Sequence, residues 1–415
     1  MPWIALFDPQ VRLAFAETAG IAVLPLAFLA ADLGKGRPLW LFFGTALTTG
    51  LLTLMHVPTM VANSGVLLTY AALAERSVRA TIRSTLAVIA GVGFGLAMAG
   101  YMLVPALVLL PSITSAAFWD AEHRPDGNYF LTLESLRSQL GILSDICVLA
   151  PLLLAVLVGA RGLRAGRIPV NLVGSLSVAC FFLLPLSSLF WNHLLPLRMV
   201  QFPGRFMPSV SLLASSIIAL SLPGCRAGVQ RLVIGVAWAM GVFAVVFAMY
   251  YGDGASPGRK RTADATVQWR ANAPEYVPEA AASKGWFERM PDPEAFQEQL
   301  ERMRSPCVSG VSALDGATDG RQTFDVSHCS GPVVLPVFFF PGWTARSDDG
   351  QRLTVRADDK SGLVTVDLPS QAERITLRRS PTQIELIGSL TSLLSISILA
   401  GFAVGVLRPK HAHPA

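Results

Sequence analysis

Long apolar runs alternate with short polar segments along most of this chain, and one large polar block interrupts the pattern near the C-terminus. About nine of the runs are long enough and apolar enough for an α-helix to cross a bilayer. They cover residues 15–33, 38–56, 58–74, 84–110, 141–160, 169–191, 206–223, 232–251 and 384–407. The pattern therefore predicts an α-helical polytopic membrane protein with about nine transmembrane helices. The third run begins at Pro58, so we expect the second and third helices to form a broken hairpin.

In the polar block, the apolar residues recur at every second position rather than in long runs. Apolar and polar residues alternate along residues 323–327, 353–356, 364–368 and 374–378, which is typical of strands that bury one face. The run Val333 to Phe340 is almost wholly apolar and favours a central strand, although Pro336 favours an edge or a bulge. We expect an antiparallel β domain inserted before the last helix.

The domain organisation follows from these two patterns. Residues 1–251 form a transmembrane helical domain with eight spans, and residues 252–383 form the β-rich domain. Residues 384–407 form the last transmembrane helix, and residues 408–415 form a short tail. In the fourth run, the glycines at 91, 93 and 95 indicate close helix packing rather than nucleotide binding.

The distribution of basic residues predicts the orientation. Charged residues make up 15% of the chain, against about 25% in soluble proteins. The net charge is +5, but the basic residues lie in short loops rather than on one face, so we exclude nucleic acid as a partner. The positive-inside rule makes the side that carries these loops cytoplasmic, together with the C-terminus, and places residues 252–383 outside the cytoplasm. The residues that define that side are Lys35, Arg37, Arg76, Arg79, Arg83, Arg161, Arg164, Arg167, Arg226, Arg231, Arg408 and Lys410.

Two of the five cysteines lie in the polar block. In an oxidising compartment Cys307 and Cys329 would form a disulfide. The alternative is a zinc site, which the absence of a CxxC spacing disfavours, with only His328 adjacent. We predict no metal site and assign no cofactor.

Ionisable residues cluster at the outer ends of the predicted spans. They are Glu17, His56, Asp145, His193, Arg198 and Arg205. Ionisable groups at membrane depth are costly and usually functional. Arginine binds phosphate bidentately, so a phosphorylated lipid is the expected ligand of Arg205, Arg198, His56 and His193. Glu17 or Asp145 would act as general base on an acceptor hydroxyl.

Each of these residues also has an ordinary structural explanation. Glu17 would be solvated among headgroups, and Asp145 would cap a helix or lie near the interface. His56 would bond backbone at a helix end, and His193 would be structural at the water boundary. Arg205 would extend towards the headgroups.

Short motifs resemble those of a known family. Residues 201–206, QFPGRF, resemble the QFPWRF motif of large bacterial membrane proteins labelled pyruvoyl-tetrahydropterin synthase-related. These proteins are similar to C-type glycosyltransferases of the teichoic-acid-glycosylation type. Gly204 stands where the motif usually has Trp. Further likenesses follow in the family's order at residues 12–17, 54–58, 101–105, 273–278 and 339–343.

The resemblance implies a bacterial inner-membrane protein that transfers sugar from polyprenyl phosphate at the outer leaflet, for modification of envelope glycan. It covers the C-terminal part of the family pattern, so the family's catalytic external loop would lie upstream of Met1, and we expect an N-terminally truncated member. An alternative of another class is a non-enzymatic transport or assembly partner for envelope polysaccharide, working with other envelope-glycan proteins. A third is an inactive remnant.

Overall fold

The computed structural model describes residues 15–112, 129–132, 139–194, 197, 200, 202–239, 302–312, 321–369 and 372–407. The chain folds into two compact units. One contains residues 1–100, 121–257 and 391–415, and the other contains residues 101–120 and 258–390.

Most of the described residues are helical. The helices are α1 (Phe15–Leu33), α2 (Pro38–Met55), α3 (Val57–Leu73), α4 (Val78–Met98), α5 (Gly100–Val108), α6 (Gln139–Arg164), α7 (Val170–Leu183), α8 (Ser188–His193), α9 (Met207–Ser221), α10 (Ala227–Ala239) and α11 (Gln383–Leu407). Among the described residues, 5 helices are long and apolar enough to cross a membrane, or 6 if α7 and α8 form one bent span. α3 and α10 are apolar but shorter. These helices fit a multi-pass membrane protein, whereas the nine spans and their orientation stay predictions.

The break between α2 and α3 lies just before Pro58, as the sequence predicts. His56 is extended, with φ −160° and ψ 100°, and separates the two helices. Pro58 follows in the first turn of α3. Because proline has no N–H, it could not have continued the hydrogen-bond ladder of α2.

The predicted continuous span 169–191 is broken in the structure. α7 ends at Leu183, a 3₁₀ turn covers Pro185–Ser187, and α8 leaves at 86°. Leu184 is extended, with ψ 152°, as expected for a residue directly before a proline. The apolar sequence of residues 169–191 therefore did not predict the sharp bend between α7 and α8.

Two helices, α4 and α5, occupy the fourth predicted span, residues 84–110, and α4 begins before it. α4 starts at Val78, because the Ser77 side chain caps it by accepting the Ala80 N–H at 3.3 Å. Arg79 and Arg83 consequently lie within the first turns of the helix rather than in a loop.

The strands that the structure describes in the second unit are all antiparallel. They are β1 (Ser309–Ser312), β2 (Arg321–Asp325), β3 (Gly331–Phe338), β4 (Trp343–Ser347), β5 (Arg352–Leu353), β6 (Val355–Ala357), β7 (Leu363–Leu368) and β8 (Arg374–Arg379). They form a five-stranded sheet in the order β1-β2-β8-β4-β5 and a three-stranded sheet in the order β3-β7-β6. Fully buried side chains such as Phe324, Leu335 and Ile375 belong to one core shared by both sheets. The predicted small antiparallel β domain is confirmed.

Two strands, β3 and β7, differ from what the sequence predicts. β3 lies at the edge of its sheet and its register shifts between Leu335 and Phe338, around Pro336. The edge and bulge that proline favours therefore replace the central strand. β7 is the middle strand and is buried on both faces, including Thr365, so the expectation of one buried face is wrong there.

Candidate functional site

The segment before α9 is irregular and fixed by packing. Phe202 is extended, and a 3₁₀ turn covers Pro203–Phe206 and leads directly into α9. Phe206 is buried, with its ring stacked on Phe182 at a centroid distance of 4.8 Å and edge-on to Trp191 at 6.1 Å. These ring contacts hold the backbone of the turn, and thus the position of Arg205, against α7 and α8.

Arg205 is held on several sides. Its side chain is 8% exposed, and its Nε lies 3.6 Å from Oε1 of Glu17. Its Nη1 donates to the carbonyl of Val200 at 2.5 Å. Its Cζ lies 4.6 Å from the centre of the Phe202 ring, a cation–π contact. The positive charge is therefore neutralised by a buried carboxylate and oriented by an aromatic ring and a carbonyl.

Glu17 belongs to the buried stripe of α1. The stripe repeats at helical spacing through Gly20, Leu24, Ala27 and Ala31. A Cβ at Gly20 would lie 3.4 Å from the Cβ of His56. Because glycine has no side chain, α1 approaches the α2–α3 break closely, one helical turn from Glu17. Two predicted site residues, Glu17 and Arg205, are thus in direct contact, and the turn with His56 packs beside them.

His56 acts as a helix cap. Its Nδ1 accepts the Thr59 backbone N–H at 3.3 Å and lies 2.7 Å from the Thr59 hydroxyl. Because an N–H donates to Nδ1, that nitrogen carries the lone pair, and the proton of the neutral ring is on Nε2. This is the helix-end arrangement that the sequence offered as the structural explanation of His56.

A buried polar chain continues from the His56 turn into the helices. The Asn63 amide donates to the Thr59 carbonyl at 2.6 Å, and the Ser209 hydroxyl donates to the Asn63 carbonyl oxygen. Thr59, Asn63 and Ser209 are each at most 2% exposed. Ser209 lies in the first turn of α9, four residues after Arg205. Sequence reasoning missed this chain, although an amide in an apolar run was a signal that could have found Asn63.

Asp145 supports a neighbouring segment. It is 3% exposed, and its Oδ1 accepts the Leu131 N–H at 3.0 Å. Leu131 has φ 58°, a costly conformation for leucine. The adjacent Phe130 bonds to the carbonyl of Leu183, and its ring would meet a Cβ at Gly204 at 3.8 Å. Asp145 therefore fixes a short segment that packs against the turn carrying Arg205.

Of the remaining predicted residues, the structure describes His193, Cys307 and Cys329. His193 ends α8 and is exposed, so it is not part of the buried cluster. Arg198 lies outside the described residues. In the other unit, Cys307 and Cys329 form a disulfide with a Cα–Cα distance of 5.3 Å.

The group combines one ion pair with uncharged polar side chains in the packed interior of the helices. It offers a guanidinium, a carboxylate, an imidazole and two hydroxyls within packed helices. Within the part of the chain that the structure describes, no three or more His, Cys, Asp or Glu side chains group as metal ligands. No family model, curated protein or solved structure matches the chain significantly.

Proposed function

We propose that this protein is glycosyltransferase-like and acts at the outer leaflet on a polyprenyl-phosphate-linked sugar, for envelope-glycan modification. The observation that carries the proposal is the buried ion pair of Glu17 and Arg205 at an irregular segment. Burying two charges is costly and contributes little to stability by itself, which favours a functional reason for the pair. Irregular backbone at membrane depth is tolerated where it is buried or lines a cavity.

The proposed chemistry assigns one role to each charged group. The lipid phosphate binds to Arg205, with Arg198 and His56 as further donors, and competes with Glu17 for the guanidinium. An acceptor hydroxyl then attacks the anomeric carbon, the bond to the phosphate oxygen breaks, and the Glu17 carboxylate accepts the hydroxyl proton. The contact of Asp145 with the Leu131 N–H supports a positioning role better than a catalytic one.

The proposed location is the bacterial inner membrane, with residues 252–383 outside the cytoplasm and the C-terminus inside. The basic loops support this orientation. The disulfide between Cys307 and Cys329 supports it independently, since disulfides persist in oxidising compartments.

The test is binding and transfer by the full-length protein in vesicles. Arg205→Lys keeps the charge but loses the bidentate fork, so polyprenyl phosphate binding should weaken roughly tenfold or more, since a charge-assisted bond is involved. Arg164→Lys is the matched control, because it makes the same change at an arginine that is exposed at the end of α6. Unchanged polyprenyl phosphate affinity in Arg205→Lys would contradict the proposal.

A second candidate is transport or assembly of envelope polysaccharide without catalysis. The buried chain of Thr59, Asn63 and Ser209 and the 86° break between α7 and α8 favour it, because transporters use polar residues within the bundle and discontinuous helices. Asn63→Leu discriminates the two. Loss of glycan export with intact sugar transfer supports transport, whereas loss of transfer supports the first proposal.

A further inference from the structure

The outer face of the five-stranded sheet is rich in arginine. Along β8, Ile375 and Leu377 are fully buried, so the alternating residues Arg374, Thr376 and Arg378 lie on the opposite face. Neighbouring strands extend this set through their register. The arginine face comprises the exposed residues Arg321, Arg346, Arg352, Arg374 and Arg378.

The arginines are placed directly opposite one another. Arg321 on β2 is paired with Arg378 on β8, and Arg346 on β4 is paired with Arg352 on β5. Like charges at directly opposed positions destabilise a sheet. Two such pairs on one small sheet give this face an excess of positive charge, which an anionic surface would attract.

The charge is also polarised along β8. Acidic residues lie at the N-terminal end of the strand, where Asp325 faces Arg374 and the turn with Asp348 and Asp349 packs beside it. The opposed pair Arg321 and Arg378 lies at the other end. The positive end of the sheet is therefore the end at which β8 leads towards α11.

The link between β8 and the apolar helix α11 is short and fixed. β8 ends at Arg379 and α11 begins at Gln383. Thr382 and Glu385 form a capping box, with the Thr382 N–H donating to Glu385 at 2.6 Å and the Glu385 N–H donating to the Thr382 hydroxyl at 3.3 Å. Arg379 also pairs with Glu385 at 2.5 Å. Arg378 is five residues before α11, so at most about 17 Å of chain separates it from the helix.

We propose that the arginine face docks on the anionic phospholipid headgroups of the leaflet that α11 enters. The occupant is the bilayer surface because the apolar helix starts within a few residues of the positive end, whereas the acidic residues lie at the far end. Electrostatic attraction to a charged leaflet falls off within a Debye length, about 8 Å at physiological salt, so the arginines nearest α11 contribute most. Each arginine at the surface should raise the ratio of docked to undocked sheet about fivefold.

The test measures, by fluorescence quenching, how close the sheet lies to the lipid headgroups. The full-length protein, with Cys147, Cys180 and Cys225 replaced by alanine, carries a fluorophore at Thr376→Cys, in the middle of the arginine face. It is reconstituted in vesicles with a quencher attached to the lipid headgroup. A fluorophore at Asp359→Cys, in the exposed turn between β6 and β7 of the other sheet, is the reference. Phosphatidylglycerol should increase quenching at position 376 relative to phosphatidylcholine, more than at 359, and high salt should reverse the increase.

A charge variant separates docking from folding. Arg321→Gln with Arg378→Gln removes one opposed pair, so the docked ratio should fall about 25-fold in phosphatidylglycerol vesicles. The sheet itself should keep its thermal stability in phosphatidylcholine, because the repulsion is relieved. Arg356→Gln is the matched control, since Arg356 is an exposed arginine of the other sheet, 3.7 Å from Asp367.

Two results would overturn the proposal. The first is quenching at position 376 that does not change with lipid charge, or that falls as much in Arg356→Gln as in Arg321→Gln with Arg378→Gln. The second is a response at position 376 to a soluble anionic polysaccharide in phosphatidylcholine vesicles, without any response to phosphatidylglycerol. That outcome would make the occupant a soluble polyanion.

Discussion

The contact of α2 and α4 gives a prediction whose magnitude follows from the structure. A Cβ at Gly95 would lie 2.6 Å from the Ala46 carbonyl oxygen, 2.7 Å from the Thr49 Cβ and 2.8 Å from the Gly50 nitrogen. Two of these atoms belong to backbone and cannot rotate away. A carbon normally approaches a carbonyl oxygen to no less than about 3.3 Å, so the helices would have to separate by about 0.7 Å.

The matched control is Gly93, two residues earlier in the same helix. Nothing lies within 4 Å of a Cβ at Gly93. Gly93→Ala should be neutral or stabilise by up to about 1 kcal/mol, because alanine loses less backbone entropy in a helix. Gly95→Ala should destabilise by about 1–3 kcal/mol through overpacking, in a bilayer where close glycine contacts supply much of the helix association.

The assay is unfolding of the purified full-length variants by denaturing detergent, followed by helical circular dichroism. A mixture of native detergent and increasing sodium dodecyl sulfate gives a midpoint for each variant. Equal midpoints for Gly93→Ala and Gly95→Ala would refute the reasoning, because only the local approach of α2 distinguishes the two positions. Gly91, whose Cβ would meet the Phe42 oxygen at 2.8 Å, gives an independent repeat.

Three further predictions concern single interactions. Asp358 is partly buried, which raises its pKa, but hydrogen bonds from the following turn outweigh this and lower the pKa below its usual value. Its stabilising contribution is therefore present at neutral pH and lost as pH falls below about 4, and Asp358→Asn should flatten that part of a pH titration of thermal stability. Asp145→Ala should destabilise by about 1–3 kcal/mol by leaving the Leu131 N–H without its acceptor, measured by detergent unfolding. Because the disulfide of Cys307 and Cys329 closes a loop of 22 residues, replacing both with alanine should destabilise the sheet by about 3 kcal/mol, measured by thermal unfolding under non-reducing conditions.

The sequence predicted most reliably those features that a single residue dictates. Pro58 marks the end of α2, and Pro336 marks an edge and a bulge in β3. The alternation along β2 and β8 predicted strands because each buries one face. The bend after Leu183 was missed, because an apolar run looks the same in a straight helix and a bent one.

The candidate site was predicted as a list of residues but not as an arrangement. Glu17 and Arg205 were singled out separately, each for its charge in an apolar context. Their contact depends on Gly20, which lets α1 approach the His56 turn, and on the ring contacts of Phe206. Long-range packing of this kind leaves no local pattern in one sequence. His193 was placed with the group from its position in the chain, but the side chain is exposed.

The buried ion pair finally allows structural and functional roles to be separated. Glu17→Gln leaves the Arg205 guanidinium buried beside Val200 and Phe202 without its carboxylate, and Arg205→Gln leaves the Glu17 carboxylate without its cation. Each single change should destabilise by about 3–5 kcal/mol. The double variant Glu17→Gln with Arg205→Gln buries two neutral amides instead of one unpaired charge and should recover most of that loss.

Measuring polyprenyl phosphate binding together with stability separates the two roles of the pair. If the pair only holds α1 against α9, the double variant should regain both stability and polyprenyl phosphate binding. If Arg205 binds the phosphate, the double variant should regain stability and still fail to bind. Single variants that cost less than about 1 kcal/mol would show that water screens the pair as it screens a surface salt bridge. In that case burial no longer sets the cost of these two charges, and the pair of Glu17 and Arg205 no longer indicates a functional site.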